Sequence, residues 1–240
     1  MTASPAALLQ QRYGLMMTPL FRQVGPDAID HEGSGVLVAT NCRWLFTAAH
    51  VVSKHDVLFL PGRPQMVLRK ERFGISPDFL DLAFLELSPA EVENLERSGL
   101  RFVPFEALDL STEELPPDRD GCLIAGFPGP NVDVDGDNRT IRAGPTVVTS
   151  QFLSARERMG LRLEGETQIV AKFGGLREGG RKLNRFKPDG ISGSGIWRNE
   201  AGEPRLVGIA TDYDPGRRIV IGTRLRPMLQ EILRHLRDDP

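Results

Sequence analysis

Apolar residues fall in short runs along most of the chain. From Gly33 the text reads Gly-Ser-Gly-Val-Leu-Val-Ala-Thr, and after the polar residues 41–43 it continues Trp-Leu-Phe-Thr-Ala-Ala-His-Val-Val. Two strand-length runs joined by a polar turn predict a β-hairpin. Further runs of β length stand at 57–60, 66–70, 82–87, 121–125, 146–153, 168–173, 195–197, 206–211 and 218–223. Many short strands separated by turns predict an all-β sandwich or barrel architecture.

The two ends break this rhythm. Ser4 followed by Pro5 opens a short predicted helix over 5–13. Near the other end Leu225, Leu229, Ile232, Leu233 and Leu236 recur at helical spacing, which predicts an amphipathic helix over 227–237 packed on the body. Between the β runs, 111–120 carries Thr112, Glu113, Glu114, Pro116, Pro117 and Asp118 with little to bury, and reads as a linker between halves. The chain thus divides into an N-terminal extension with a short helix at 1–28, a first β unit at 29–115, and a second at 116–240 that includes the last helix.

Composition narrows the function classes. The 240 residues hold 25 Gly and 18 Pro, in keeping with a turn-rich globular protein. Thirty Lys plus Arg stand against 32 Asp plus Glu, a balance that gives no electrostatic reason to expect nucleic acid or a membrane as partner. No apolar stretch approaches the roughly 18 residues of a membrane helix. The first 24 residues lack the basic cluster and long apolar core of a secretory signal. Cys42 and Cys122 are the only cysteines, too few for a disulfide framework, so the expected setting is reducing and cytoplasmic.

Three motifs could carry chemistry. His50 closes the hairpin run, whereas His31 and His235 lie in polar contexts and His55 stands between Lys54 and Asp56. Asp81 immediately precedes the alternating run Leu-Ala-Phe-Leu-Glu-Leu, with Asp78 as a weaker rival. Gly190-Ile191-Ser192-Gly193-Ser194-Gly195 sets a serine among glycines ahead of an apolar strand, and Ser194 is a rival nucleophile within it. Hydroxyl-based nucleophilic catalysis needs a serine, a histidine to take its proton, a carboxylate to hold the histidine tautomer, and backbone N–H groups for the oxyanion. Each motif alone also has an ordinary reading, as a packed histidine, a turn acid and a glycine-rich turn.

Taken in order, Thr-Ala-Ala-His, Asp-Leu-Ala and Gly-x-Ser-Gly resemble the trypsin-like (chymotrypsin-fold) serine peptidases, and their intracellular, bacterial-type members in particular. Gly33-Ser-Gly before the hairpin, Gly126-Phe-Pro-Gly opening the second half, Leu206-Val-Gly-Ile and the final helix extend the likeness over 33–237. The resemblance implies two packed six-stranded β-barrels with a C-terminal helix, His50 and Asp81 on the first and Ser192 on the second. It implies a serine endopeptidase acting through an acyl-enzyme on a protein or peptide substrate, with no metal and no cofactor. Gly190 and Ser192 match the oxyanion hole, Thr211 the position that supports the triad carboxylate, and Phe186, Thr211, Tyr213 and Val220 the substrate pocket.

Departures from the family pattern matter too. Ile191 replaces the aspartate that pairs with a new N-terminus in the digestive enzymes, and the cysteines of secreted members are missing. Control by an activating protein partner or signal is the expectation that follows. Phe186 disfavours a preference for Lys or Arg and favours an apolar or small residue before the cut, with Asp189 and Asp212 as alternatives from a shifted loop. Asp133, Asp135 and Asp137 resemble the start of a calcium loop, but Asn138 and Gly144 break its pattern. The basic, glycine-rich stretch 172–187 reads as a solvated loop or as one that orders over an acidic substrate. A catalytically silent peptide-binding module on the same fold is the alternative function.

Overall fold

The computed structural model describes residues 14–25, 28–61, 66–77, 79–117, 121–129, 132–135, 140–161, 163, 167–173, 177–178, 181–182, 189–200 and 203–238. The chain is mostly β, with two antiparallel sheets. The first sheet contains β1 (Met17–Gln23), β2 (Ile29–Ala39), β3 (Arg43–Ala48), β4 (Val57–Leu60), β5 (Met66–Arg69), β6 (Gly74–Ile75) and β7 (Leu82–Glu86), in the order β5-β4-β1-β2-β3-β7-β6. Next come β8 (Cys122–Gly126), the small pair β9 (Val132–Asp135) and β10 (Thr140–Ala143), and β11 (Thr146–Ser150). They are followed by β12 (Gln168–Lys172), a second small pair β13 (Arg177–Glu178) and β14 (Arg181–Lys182), β15 (Gly195–Glu200), β16 (Glu203–Asp214) and β17 (Ile219–Arg224). The second sheet runs β11-β8-β15-β16-β17-β12.

The apolar runs are nearly continuous because both faces of these strands are covered. Leu37, Leu45, Ala83 and Leu85 point into a core belonging to the first sheet, with Leu58, Leu60 and Leu68. Their neighbours Val36, Val38, Trp44, Phe46, Leu82 and Phe84 point the other way, into a core shared with Leu123, Ala125, Trp197, Leu206 and Ile209 of the second sheet. Ile124, Ile196, Val207 and Val220 fill a third core on the second sheet's far face. Strict alternation thus sorts one run of residues between a private core and a common one.

Among the described residues four α-helices accompany the sheets: α1 (Ala49–Ser53), α2 (Pro89–Arg97), α3 (Ala155–Arg158) and α4 (Leu225–Asp238). The C-terminal helix forms as expected, two residues longer at its start, with Leu225, Met228 and Ile232 in the common core. The expected helix over 5–13 lies outside the described residues. Strand β1, which the pattern analysis left in an N-terminal extension, is instead an inner strand of the first sheet between β4 and β2. Among the described residues no helix is long and apolar enough to cross a membrane.

The linker expected at 111–120 belongs to a longer crossover that is fastened to both sheets. Val103 exchanges backbone hydrogen bonds with Leu37 and Ala39, and Asp109 N–H then donates to the Leu206 carbonyl. Arg205 donates to the Glu106 and Leu108 carbonyls, Arg224 to those of Ser111 and Glu113, and Arg198 pairs with Asp109 at 3.3 Å. Arginine forks thereby satisfy crossover carbonyls that lie outside any ladder. The two sheets are held in one fixed relation by these bonds and by the common core.

Candidate functional site

Antiparallel pairing of β3 with β7 sets the first part of the site. The ladder ends at Ala48 opposite Leu82, so the next residues out are Ala49 and Asp81, and the Ala49 N–H donates to the Asp81 carbonyl at 2.9 Å. His50 follows at once on α1, where the sequence pattern had continued the strand to Val52; the strand stops at Ala48 and one helical turn turns the imidazole back to the end of β7. The two oxygens of the Asp81 carboxylate divide their work. Oδ1 accepts the His50 backbone N–H at 2.9 Å, and Oδ2 lies 2.7 Å from His50 Nδ1.

A carboxylate can only accept, so this contact puts the ring proton on Nδ1 and leaves Nε2 as the free basic nitrogen. Asp81 holds this position at φ 46°, a left-handed conformation that aspartate tolerates better than most residues. The turn before it is buttressed from two sides. Ser76 N–H donates to the Leu82 carbonyl and Ser76 Oγ accepts the Leu82 N–H. From the second sheet, buried Thr223 donates its hydroxyl to the Leu80 carbonyl at 2.6 Å.

Ser192 stands on the turn that enters β15. Its carbonyl accepts the Ser34 N–H at 2.8 Å, which ties the turn to β2. Gly33 is the spacer between this turn and α1: a methyl group there would lie 3.0 Å from the Ser192 carbonyl oxygen and 2.9 Å from Val51 Cγ2, beside His50. The half-buried Ser192 is therefore brought next to the helix that carries His50, while no hydrogen bond joins its Oγ to His50 among the described residues. Ser194 is different: it is fully buried, its Oγ has no partner among the described residues, and it packs against Gly126.

The turn also presents two N–H groups in a fixed direction. In a trans peptide the C=O and N–H point opposite ways, so anchoring one aims the other. Gly129 N–H holds the Asp189 carbonyl at 2.7 Å, which orients the Gly190 N–H, and Ser194 N–H holds the Ile191 carbonyl at 2.9 Å, which orients the Ser192 N–H. Neither of these two N–H groups has an acceptor among the described residues. Gly190 and Gly193 take φ of 84° and 85°, conformations in the left-handed region that glycine supplies without strain.

The remaining expected site residues take varied places. Thr211 is buried at a bulge in β16, and its hydroxyl faces the Ile221 carbonyl at 3.4 Å rather than Asp81. Val220 is wholly inside the third core, and Tyr213 packs on it with its ring edge-on to Phe173 at 5.2 Å. Phe186, Asp137 and most of the basic stretch 172–187 lie outside the described residues. Asp189 is exposed and lines a polar cavity of about 440 Å³ with Asp30, His31 and Gly190.

His31 reaches this turn because Glu32 is an extra residue in the β1–β2 ladder, and such bulges re-aim side chains. Its ring meets Phe21 edge-on and fills the space a side chain at 190 would need. Burial pulls its pKa below the ordinary range, against the opposing pull of the Gly33 carbonyl, Asp30 and Glu32. Cys42 and Cys122 are free thiols; burial pushes the Cys122 thiol far up, which makes it a packing group. No group of His, Cys, Asp and Glu among the described residues is arranged to hold a metal ion.

Ser34 stood in the Gly33-Ser-Gly landmark without a role assigned to its hydroxyl, and Thr223 had no signal in the sequence beyond being a small hydroxyl residue in an apolar run. Their roles come from partners 156 and 143 residues away. No protein-family model and no curated protein matches the sequence.

Proposed function

We propose that this protein is a serine endopeptidase of the trypsin-like kind, with Ser192 as nucleophile, His50 as general base and acid, and Asp81 as the group that orients His50. The observation that carries this reading is the double hold of Asp81 on His50, at the backbone N–H and at Nδ1. That arrangement leaves Nε2 as the only ring nitrogen able to take a proton from a hydroxyl. Ser192 attacks the scissile carbonyl, His50 Nε2 takes its proton and later delivers it to the leaving amine, and Asp81 stabilises the imidazolium formed between those steps. The N–H groups of Gly190 and Ser192 receive the oxyanion, and each such donor is worth about 10²- to 10³-fold in rate.

In this reading the two sheets, of seven and six strands rather than the six and six the resemblance implies, correspond to the two barrels, with the cleft between them binding an extended protein or peptide substrate. A missing Ser192–His50 hydrogen bond is compatible with it, since such bonds often tighten only when substrate is present. Cleavage after an apolar or small residue is the specificity that goes with it. The test is labelling by a fluorophosphonate probe together with hydrolysis of labelled casein. Covalent modification is expected at Ser192 by peptide mapping, lost in Ser192→Ala and strongly slowed in His50→Ala. A folded wild-type protein that neither takes the probe nor cleaves casein would overturn the proposal in favour of a silent peptide-binding module.

A further inference from the structure

Four consecutive peptide units, from Asp189 to Gly193, decide where the two oxyanion donors point, and each has its carbonyl hydrogen-bonded. The first and third are held by Gly129 N–H and Ser194 N–H, close in the chain or on the neighbouring loop. The second and fourth are both held by one residue of the first sheet. Ser34 Oγ–H donates to the Gly190 carbonyl at 2.9 Å, and Ser34 N–H donates to the Ser192 carbonyl at 2.8 Å.

The direction of the hydroxyl bond is unambiguous. The Phe127 N–H, which can only donate, gives its proton to Ser34 Oγ at 2.8 Å, so the hydroxyl proton is left for the Gly190 carbonyl, which can only accept. Ser34 is itself fixed: Thr47 Oγ1 donates to its carbonyl at 2.8 Å, and it has no exposed surface. Gly193 fits against it so closely that any side chain at 193 would collide with the Ser34 carbonyl. A buried, fully used serine thus reaches from β2 into the turn of the second sheet, with a hydroxyl chain running Phe127 N–H, Ser34 Oγ, Gly190 carbonyl.

We infer that Ser34 is a positioning residue for the oxyanion-binding turn, holding alternate carbonyls of 189–193 so that the N–H groups of Gly190 and Ser192 stay aimed at one point. Without the Ser34 hydroxyl, the 190–191 peptide that joins the two donor-bearing peptides loses its anchor, and the Gly190 and Ser192 N–H groups, each still held by its own bond, lose their fixed relation to one another, a loss felt in the transition state more than in the bound substrate. This inference rests on the peptidase reading. It assigns a role to a residue that touches neither substrate nor His50.

The test compares wild type with Ser34→Ala and with Ser34→Cys, which is close in size but a much weaker hydrogen-bonding group. Expected is a fall in kcat of about 10- to 100-fold with KM within about twofold. Affinity for a peptide aldehyde, whose adduct is tetrahedral, falls in parallel, while circular dichroism and thermal melting show folded protein. Ser34→Thr, which keeps the hydroxyl, recovers much of the loss if the site admits its methyl. A folded Ser34→Ala or Ser34→Cys protein with unchanged kcat and aldehyde affinity overturns the inference; should the alanine variant not fold, the cysteine variant carries the same comparison. Wild type that fails to react with fluorophosphonate overturns the peptidase reading instead, so the two failures are told apart before any variant is measured.

Discussion

Two serines two positions apart show how much a residue's surroundings decide. Ser192 is half-buried beside α1, whereas Ser194 is sealed in the core with an unpartnered hydroxyl. Ser194→Ala is expected to leave casein hydrolysis within about twofold of wild type. It should not lower stability, because removing a buried unpaired hydroxyl removes a desolvation cost with no bond lost. Asp81→Asn is the opposite case. It keeps the shape but presents an amide to His50 Nδ1, which favours the wrong tautomer, and a loss of about 10⁴ in kcat is expected with folding intact. An Asp81→Asn protein with near wild-type kcat would remove Asp81 from the proposed mechanism. The sequence pointed to His50 and Asp81 through motif order, and it favoured Ser192 over its rival Ser194 on registry. It could not reveal Ser34 or Thr223, since a hydroxyl's worth lies in partners far along the chain.

At the scale of elements, legibility followed how clearly turn residues bound an apolar run. Strand β4 was legible to the residue, and β7, β12 and β17 to within one, because turn residues bound their apolar runs. Strand β1 was missed because Thr18 and Pro19 interrupt its apolar run. That proline is tolerated because β4 pairs only with Phe21 and Arg22, so the missing N–H at 19 leaves no gap in that ladder. Helix α2 escaped because Leu95 is its only buried residue, leaving no apolar stripe to read. Its start is nonetheless written in the sequence as a capping box: Ser88 accepts the Glu91 N–H, and the Glu91 carboxylate accepts the Ser88 N–H. Arg72 secures the same carboxylate at 2.5 Å. Ser88→Ala is expected to cost about 1 kcal/mol in urea unfolding while leaving kcat and KM unchanged, because α2 lies away from His50 and Ser192. A variant as stable as wild type would show that the cap contributes nothing.

The whole molecule depends on the first and second sheets staying in register, and its charged contacts make that dependence a function of pH. Many short strands made the β class legible, but the fastening between the two sheets was not, since it uses arginines that bond crossover carbonyls through space. Asp109 sits in that crossover. Burial works against its charge, yet the Ser111 N–H and hydroxyl and then Arg198 and Arg205 outweigh this, so its pKa is lowered. Glu91 is lowered likewise, with burial outweighed by Arg72 and Ser88. His31, beside the Gly190 turn, is lowered by its own burial. All three shifts have one sign: the unfolded chain takes up a proton before the folded protein does, so stability falls as pH falls. The windows differ. His31 contributes fully above its ordinary value of 6.5 and is lost below it, whereas the carboxylates contribute above ordinary values of 4.5 and 3.8 and are lost at more acid pH. Urea unfolding at pH 7.5, 5.5 and 3.5 should therefore show two successive losses, the first absent in His31→Gln. Equal stability of wild type at pH 7.5 and 5.5, or a first loss that persists in His31→Gln, would mean that the ring against Gly190 is not held neutral by the fold. The 189–193 turn would then have to tolerate a cation at its back.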